Sequence, residues 1–70
     1  MKVVDLHGVR YGDVYGMLEK LCIEGEYPFV VITGNSITMK NVVEKIVTSF
    51  GLCSSEKLGN SGRLVINESR

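Results

Sequence analysis

The 70-residue chain predicts a two-layer α/β sandwich of the α+β type, ordered βαβαββ, with a four-stranded mixed sheet and two helices on one face. Three observations carry this expectation. Two runs rich in Val, Leu and Ile end at a glycine, Gly8 and Gly34. Each is followed by a segment whose apolar residues recur every three or four positions, the period of an amphipathic helix. Two further runs then flank Gly59-Asn60-Ser61-Gly62, as hairpin strands flank a turn. Right-handed strand–helix–strand crossovers put both helices on one side of the sheet and leave the other side partly open.

Residues 2–7 read as the first strand, ended by Gly8. Over residues 11–25, Val14, Leu18, Leu21 and Cys22 fall at i, i+4, i+7 and i+8, with Met17 filling the stripe. Asp13 complements the dipole of the first turn, and Gly25 is the expected stop. Gly12 and Gly16 each weaken such a helix by about 1 kcal/mol relative to Ala, unless close packing calls for them. Residues 28–33 are almost continuously apolar, as a central parallel strand should be. After Gly34, one of Asn35, Ser36 or Thr38 caps a second helix. There Met39, Val42, Val43, Ile46, Val47 and Phe50 form an apolar stripe opposite Lys40, Asn41, Glu44, Lys45 and Thr48, and Gly51 closes it. Residues 52–58 and 63–67 are the hairpin strands, with the turn at 59–62.

Eight basic residues balance eight acidic ones. That neutrality argues against strong non-specific affinity for nucleic acid or an anionic membrane, and leaves room for a local basic patch. No apolar run approaches the roughly 20 residues that span a bilayer, and no signal peptide is legible, so the expectation is a single cytoplasmic domain without a membrane partner. Cys22 and Cys53 lack CxxC spacing and read as buried free thiols in a reducing compartment. With one histidine and two distant cysteines there is no zinc ligand set.

The candidate chemistry lies in Val4-Asp5-Leu6-His7-Gly8, which holds the only histidine of the chain. On a strand, Asp5 and His7 share a face, and an acid beside a histidine orients it and raises its basicity. If the first two strands are parallel neighbours, their carboxyl ends lie together, which brings Thr33-Gly34-Asn35-Ser36 beside His7. The second of these loops opens a helix, whose N-terminal amides favour an anion such as a phosphate. Each reading has a plainer counterpart. A lone histidine bonds a loop carbonyl, Asp5 caps the backbone beyond it, and the second loop is an ordinary capped turn. Arg10, Lys40, Lys45, Lys57 and Arg63 are candidate phosphate contacts or simply solvated charges. Tyr11, Tyr15 and Tyr27 are base-stacking candidates or partial core.

These motifs resemble those of the Smr (small MutS-related) domain family. Val4-Asp5-Leu6-His7-Gly8 is similar to its LDLHG motif. Thr33-Gly34-Asn35-Ser36 corresponds to its HGxG or TGxG motif, with Ser36 in place of the second glycine. Gly62-Arg63-Leu64-Val65-Ile66 looks like its closing hairpin strand. The resemblance covers nearly the whole chain. It implies a fold similar to the C-terminal domain of translation initiation factor three, with the fourth strand antiparallel between the second and third. It also implies a nucleic-acid partner, RNA or structured DNA, and endonuclease activity. On that expectation Asp5 and His7 are catalytic. His7 is the base, and Asp5 orients it or holds a divalent cation such as magnesium. Gly8, Arg10, Thr33, Gly34, Asn35, Ser36 and Lys40 bind phosphate. The alternative is a module that binds nucleic acid or protein in the same crevice without turnover, acting as a homodimer or through a partner protein.

Overall fold

The computed structural model describes residues 1–57 and 59–69. Its elements run β1 (Val3–Asp5), α1 (Tyr11–Glu24), β2 (Phe29–Ile32), α2 (Ile37–Ser49), β3 (Leu52–Lys57) and β4 (Asn60–Glu68). The sheet order is β1-β2-β4-β3. β1 is parallel to β2, and β4 lies antiparallel to both β2 and β3. The expected element order and mixed sheet are both present, with the fourth strand between the second and third.

Alternation along the strands separates two faces. Phe29, Val31, Leu64 and Ile66 join Val14, Leu18, Leu21 and Cys22 of α1 and Met39, Val43 and Val47 of α2 in one buried cluster. Both helices therefore cover the same face. The alternate residues, Val3, Asp5, Val30, Ile32, Arg63 and Val65, stand on the opposite face, which neither helix covers and on which Val30 is nonetheless buried. Burying a Leu, Val or Phe side chain stabilises by about 1.5–3 kcal/mol, so the helix side supplies most of the stability of so short a chain.

Helix ends follow their residues. Gly25 takes the left-handed conformation (φ 75°) after α1, and its N–H donates to the Leu21 carbonyl. Ser36 caps α2, its hydroxyl oxygen accepting from the Met39 N–H at 3.1 Å. Arg10 holds the corresponding position before α1 and makes no side-chain capping bond.

Several expectations need correction. Met17 does not fill the α1 stripe. It lies about 60° round the helix from Val14, at the edge of the apolar stripe, and is 42% exposed. Cys53 is a free thiol as expected but exposed, because it pairs with Asn67 and so points away from the helices, unlike its neighbour Leu52. Cys22 is free and buried, and burial pushes its thiol pKa up, which suits an inert core thiol. The first strand is shorter than residues 2–7, since the chain turns at His7 and Gly8. The final strand is longer than residues 63–67. Asn60, Ser61 and Gly62 belong to β4 rather than to the turn, and residue 58, expected in the third strand, lies outside the described residues. Opposite β3 the register jumps from Glu56↔Leu64 to Lys57↔Asn60, so residues 61–63 bulge. The bulge frees the Gly62 carbonyl to face the end of β2, where it accepts from the N–H groups of Thr33 (2.9 Å) and Gly34 (3.1 Å).

Candidate functional site

The carboxyl ends of β1 and β2 each give way to a loop, and the two loops face each other across a groove of about 550 Å³. Leu6, Val9 and Met39 supply its apolar part. His7, Gly8 and Arg10 line it from the first loop, Tyr11 from the first residue of α1, and Thr33 and Ser36 from the second loop.

Parallel pairing makes this meeting. Asp5 pairs with Ile32, and the Leu6 N–H donates to the Ile32 carbonyl at 2.8 Å, so both chains leave the sheet at the same level. The first then turns sharply. Gly8 sits at φ 80°, a region open chiefly to glycine, and the Val9 N–H donates back to the Leu6 carbonyl. Asp5 Oδ1 accepts from the His7 main-chain N–H at 2.9 Å. The carboxylate thus steadies the turn that presents His7. Among the described hydrogen bonds it does not engage the imidazole, so the expected orienting contact is made to the backbone instead.

His7 itself is exposed, and its ring lies against Gly34. A Cβ on Gly34 would come within 3.2 Å of His7 Cδ2, and the φ of 65° there disfavours any L side chain. Gly34 is therefore required twice, for its conformation and for the space it leaves the imidazole. The sequence-predicted meeting of His7 with Gly34 is present.

The second loop is closed on itself. Thr33 is buried, and its hydroxyl lies 2.9 Å from the Gly34 carbonyl and 3.4 Å from the Gly62 carbonyl. The Gly34 N–H is also taken by Gly62, and Ser36 by the helix cap. Asn35 is exposed and has an interaction of its own. The amides of residues 34 to 36, expected to cradle phosphate, are thus engaged in part by the protein.

Lys40 is not brought to the groove. Its ammonium pairs with Glu56 at 2.9 Å, in a separate depression between α2 and β3. Arg10 does reach the groove and is exposed. Sequence reasoning left Tyr11 between base-stacking and partial core; it is 52% exposed and lines the groove directly after Arg10. Tyr27, by contrast, packs beside Phe29 and donates its hydroxyl to the Cys22 carbonyl, as partial core. The role of Gly62 was missed. The available signal was a glycine beside a strand, which often marks a bulge or a close backbone approach.

Among the described residues no three His, Cys, Asp or Glu side chains stand together as metal ligands, and no helix is long and apolar enough to cross a membrane. Comparison of the chain with protein-family models, with curated proteins and with solved structures finds no match.

Proposed function

We propose that the chain is an Smr-like nucleic-acid-binding domain that holds a short stretch of single-stranded or looped RNA, or structured DNA, in the groove beside His7. The observation that supports this reading is the placing of an exposed imidazole and a guanidinium on one loop, and a tyrosine ring at the start of the helix it feeds, over an apolar floor. Arg10 offers a two-pronged donor to a phosphate. The half-exposed Tyr11 offers a face for one base, a contact worth about 1–3 kcal/mol. His7 supplies a hydrogen bond to a phosphate oxygen or a ribose hydroxyl. A neutral chain has no broad field to add to these contacts. Binding therefore rests on one or two phosphates, with a salt slope of about −0.7 for each on a single strand.

Cleavage is the second reading, favoured by the packing of the His7 ring against Gly34, which fixes an acid–base group inside the groove. In that version His7 takes the proton of a 2′-hydroxyl, the oxygen attacks the adjacent phosphorus, and the bond to the 5′-oxygen breaks. The products are a 2′,3′-cyclic phosphate and a 5′-hydroxyl end, the latter needing a proton from water. For magnesium, Asp5 offers one carboxylate with Oδ1 already engaged by the turn. That is a thin ligand set, and no step is assigned to a cation.

Fluorescence anisotropy with a labelled RNA hairpin and its DNA counterpart tests the binding reading. Arg10→Ala and Tyr11→Ala should each weaken binding about fivefold or more, and Lys20→Glu should leave it unchanged. Equal losses from all three, or no saturable binding, would remove the groove as the site. Gel analysis of the same RNA separates the two versions: cleavage lost in His7→Ala supports the second, and intact RNA under saturating protein leaves binding alone.

A further inference from the structure

The sheet face away from the helices carries a pattern that fits its own copy. Across β1, β2 and β4 one row reads Asp5–Ile32–Arg63, and the row below reads Val3–Val30–Val65. Val3 is 53% exposed, Ile32 and Val65 are partly exposed, Asp5 is exposed, and Val30 between Val3 and Val65 is already buried. Opposite charges thus stand on either side of Ile32, each about 5 Å from it by the spacing of neighbouring strands. We propose that a second copy of the chain covers this face, in a two-fold pair whose axis runs along β2.

A two-fold rotation about the strand direction turns the face over and exchanges left for right. Asp5 of each copy then lies over Arg63 of the other, Ile32 meets its own counterpart on the axis, and Val3 meets Val65, while Val30 is already buried within each copy. Such an isologous contact makes each favourable pair twice. A polyanion or an anionic lipid surface suits the face less well. One acid and one base give a polyanion or an anionic lipid surface nothing to hold, and the centre of the face is aliphatic. The face measures about 19 Å across four strands by about 10–14 Å along the three residues of β1 and the four of β2, or roughly 200–250 Å² per copy. That is below the roughly 800 Å² per partner of a stable complex, so the pair forms reversibly.

The choice of axis has a consequence for the groove. Rotation about the strand direction keeps the carboxyl ends of the strands at the same end of the pair, so both His7 loops come to one end. Two weak nucleic-acid contacts would then act on one strand through effective concentration. This last step rests on the proposed function, but the pairing does not.

The test is therefore made without nucleic acid, by sedimentation of the chain from micromolar to millimolar concentration. The wild type should pass from monomer to dimer. Arg63→Glu and Val3→Lys should each weaken the dimer about tenfold or more, and Asp5→Asn, which keeps an oxygen for the His7 N–H, should weaken it less. Asp5→Lys combined with Arg63→Glu should restore it. A second measurement does not depend on that double variant. In a Cys53→Ser chain, Ile32→Cys should cross-link across the axis under oxidised glutathione. The native Cys53 thiols, two strands from the axis in each copy and so about 19 Å apart, should not. A wild type monomeric at millimolar concentration, a dimer indifferent to Arg63→Glu and Val3→Lys, or cross-linking at Cys53 instead of Ile32→Cys would each overturn the proposal.

Discussion

The two loops that wall the groove leave the same edge of the sheet, yet they use their polar groups in opposite ways. In the loop after β2, Thr33 turns its hydroxyl inward, Gly34 gives its N–H to Gly62, and Ser36 caps α2. In the loop after β1, one side-chain bond, Asp5 to the His7 N–H, steadies the turn, while His7 and Arg10 face solvent and α1 begins without a side-chain cap. A loop that turns most of its described polar bonds inward is chiefly a support. A loop that leaves a histidine and an arginine exposed, and leads into a helix that opens on an exposed tyrosine, has donors to offer a ligand beside an apolar floor. The difference moves the proposed ligand contacts from residues 34–36 and Lys40 toward His7, Arg10 and Tyr11.

Substitutions on the two sides should therefore separate stability from binding. The largest effect is expected at Gly34. Gly34→Val places a branched side chain at positive φ and against His7 Cδ2, and should destabilise by about 2–3 kcal/mol. For a domain of this size that lowers Tm by roughly 10–20 °C, which calorimetry or circular dichroism would read. Ser36→Ala removes the α2 cap and should lower stability by about 1 kcal/mol while nucleic-acid affinity stays within a factor of two. A large loss of affinity there would return the second loop to the binding site.

The first-loop side should respond in the other direction. A Cβ at Gly12 or Gly16 meets no atom within 4 Å, so no packing requires either glycine. Gly12→Ala and Gly16→Ala should each raise stability by about 0.5–1 kcal/mol, measured by urea denaturation; destabilisation would show that α1 packs more closely than its exposed face indicates. Smallest of all in stability is His7→Ala, expected within about 0.5 kcal/mol of wild type because the ring is exposed. A loss of several kcal/mol there would make His7 a structural residue.

The fold was legible because its signals are local. Two periods of apolar residues, 3.6 for the helices and a continuous run for β2, sit between glycines at positive φ, and each of these can be read within one element. The meeting of His7 with Gly34 was legible for a related reason, since parallel neighbours must end together. What escaped was long-range. The Gly62 carbonyl serves Thr33 from 29 residues away, and Lys40 finds Glu56 across 16 residues. Neither pairing leaves a periodic trace, so an apparent hairpin turn hid a bulge, and an apparent phosphate contact was already an ion pair. Met17 and Cys53 escaped because burial at a stripe edge or on an outer strand depends on what packs alongside, which composition does not report.

The placing of ligand contacts on one loop rather than the other is tested most directly by titrating the ¹⁵N-labelled protein with a short RNA hairpin and following each backbone amide. Shifts should concentrate at His7, Gly8, Arg10, Tyr11 and Gly12 and should saturate, with smaller changes at residues 34–36 across the groove. Saturating shifts centred on Lys40 and Asn41, or on Val3, Ile32 and Val65 of the open sheet face, would contradict it.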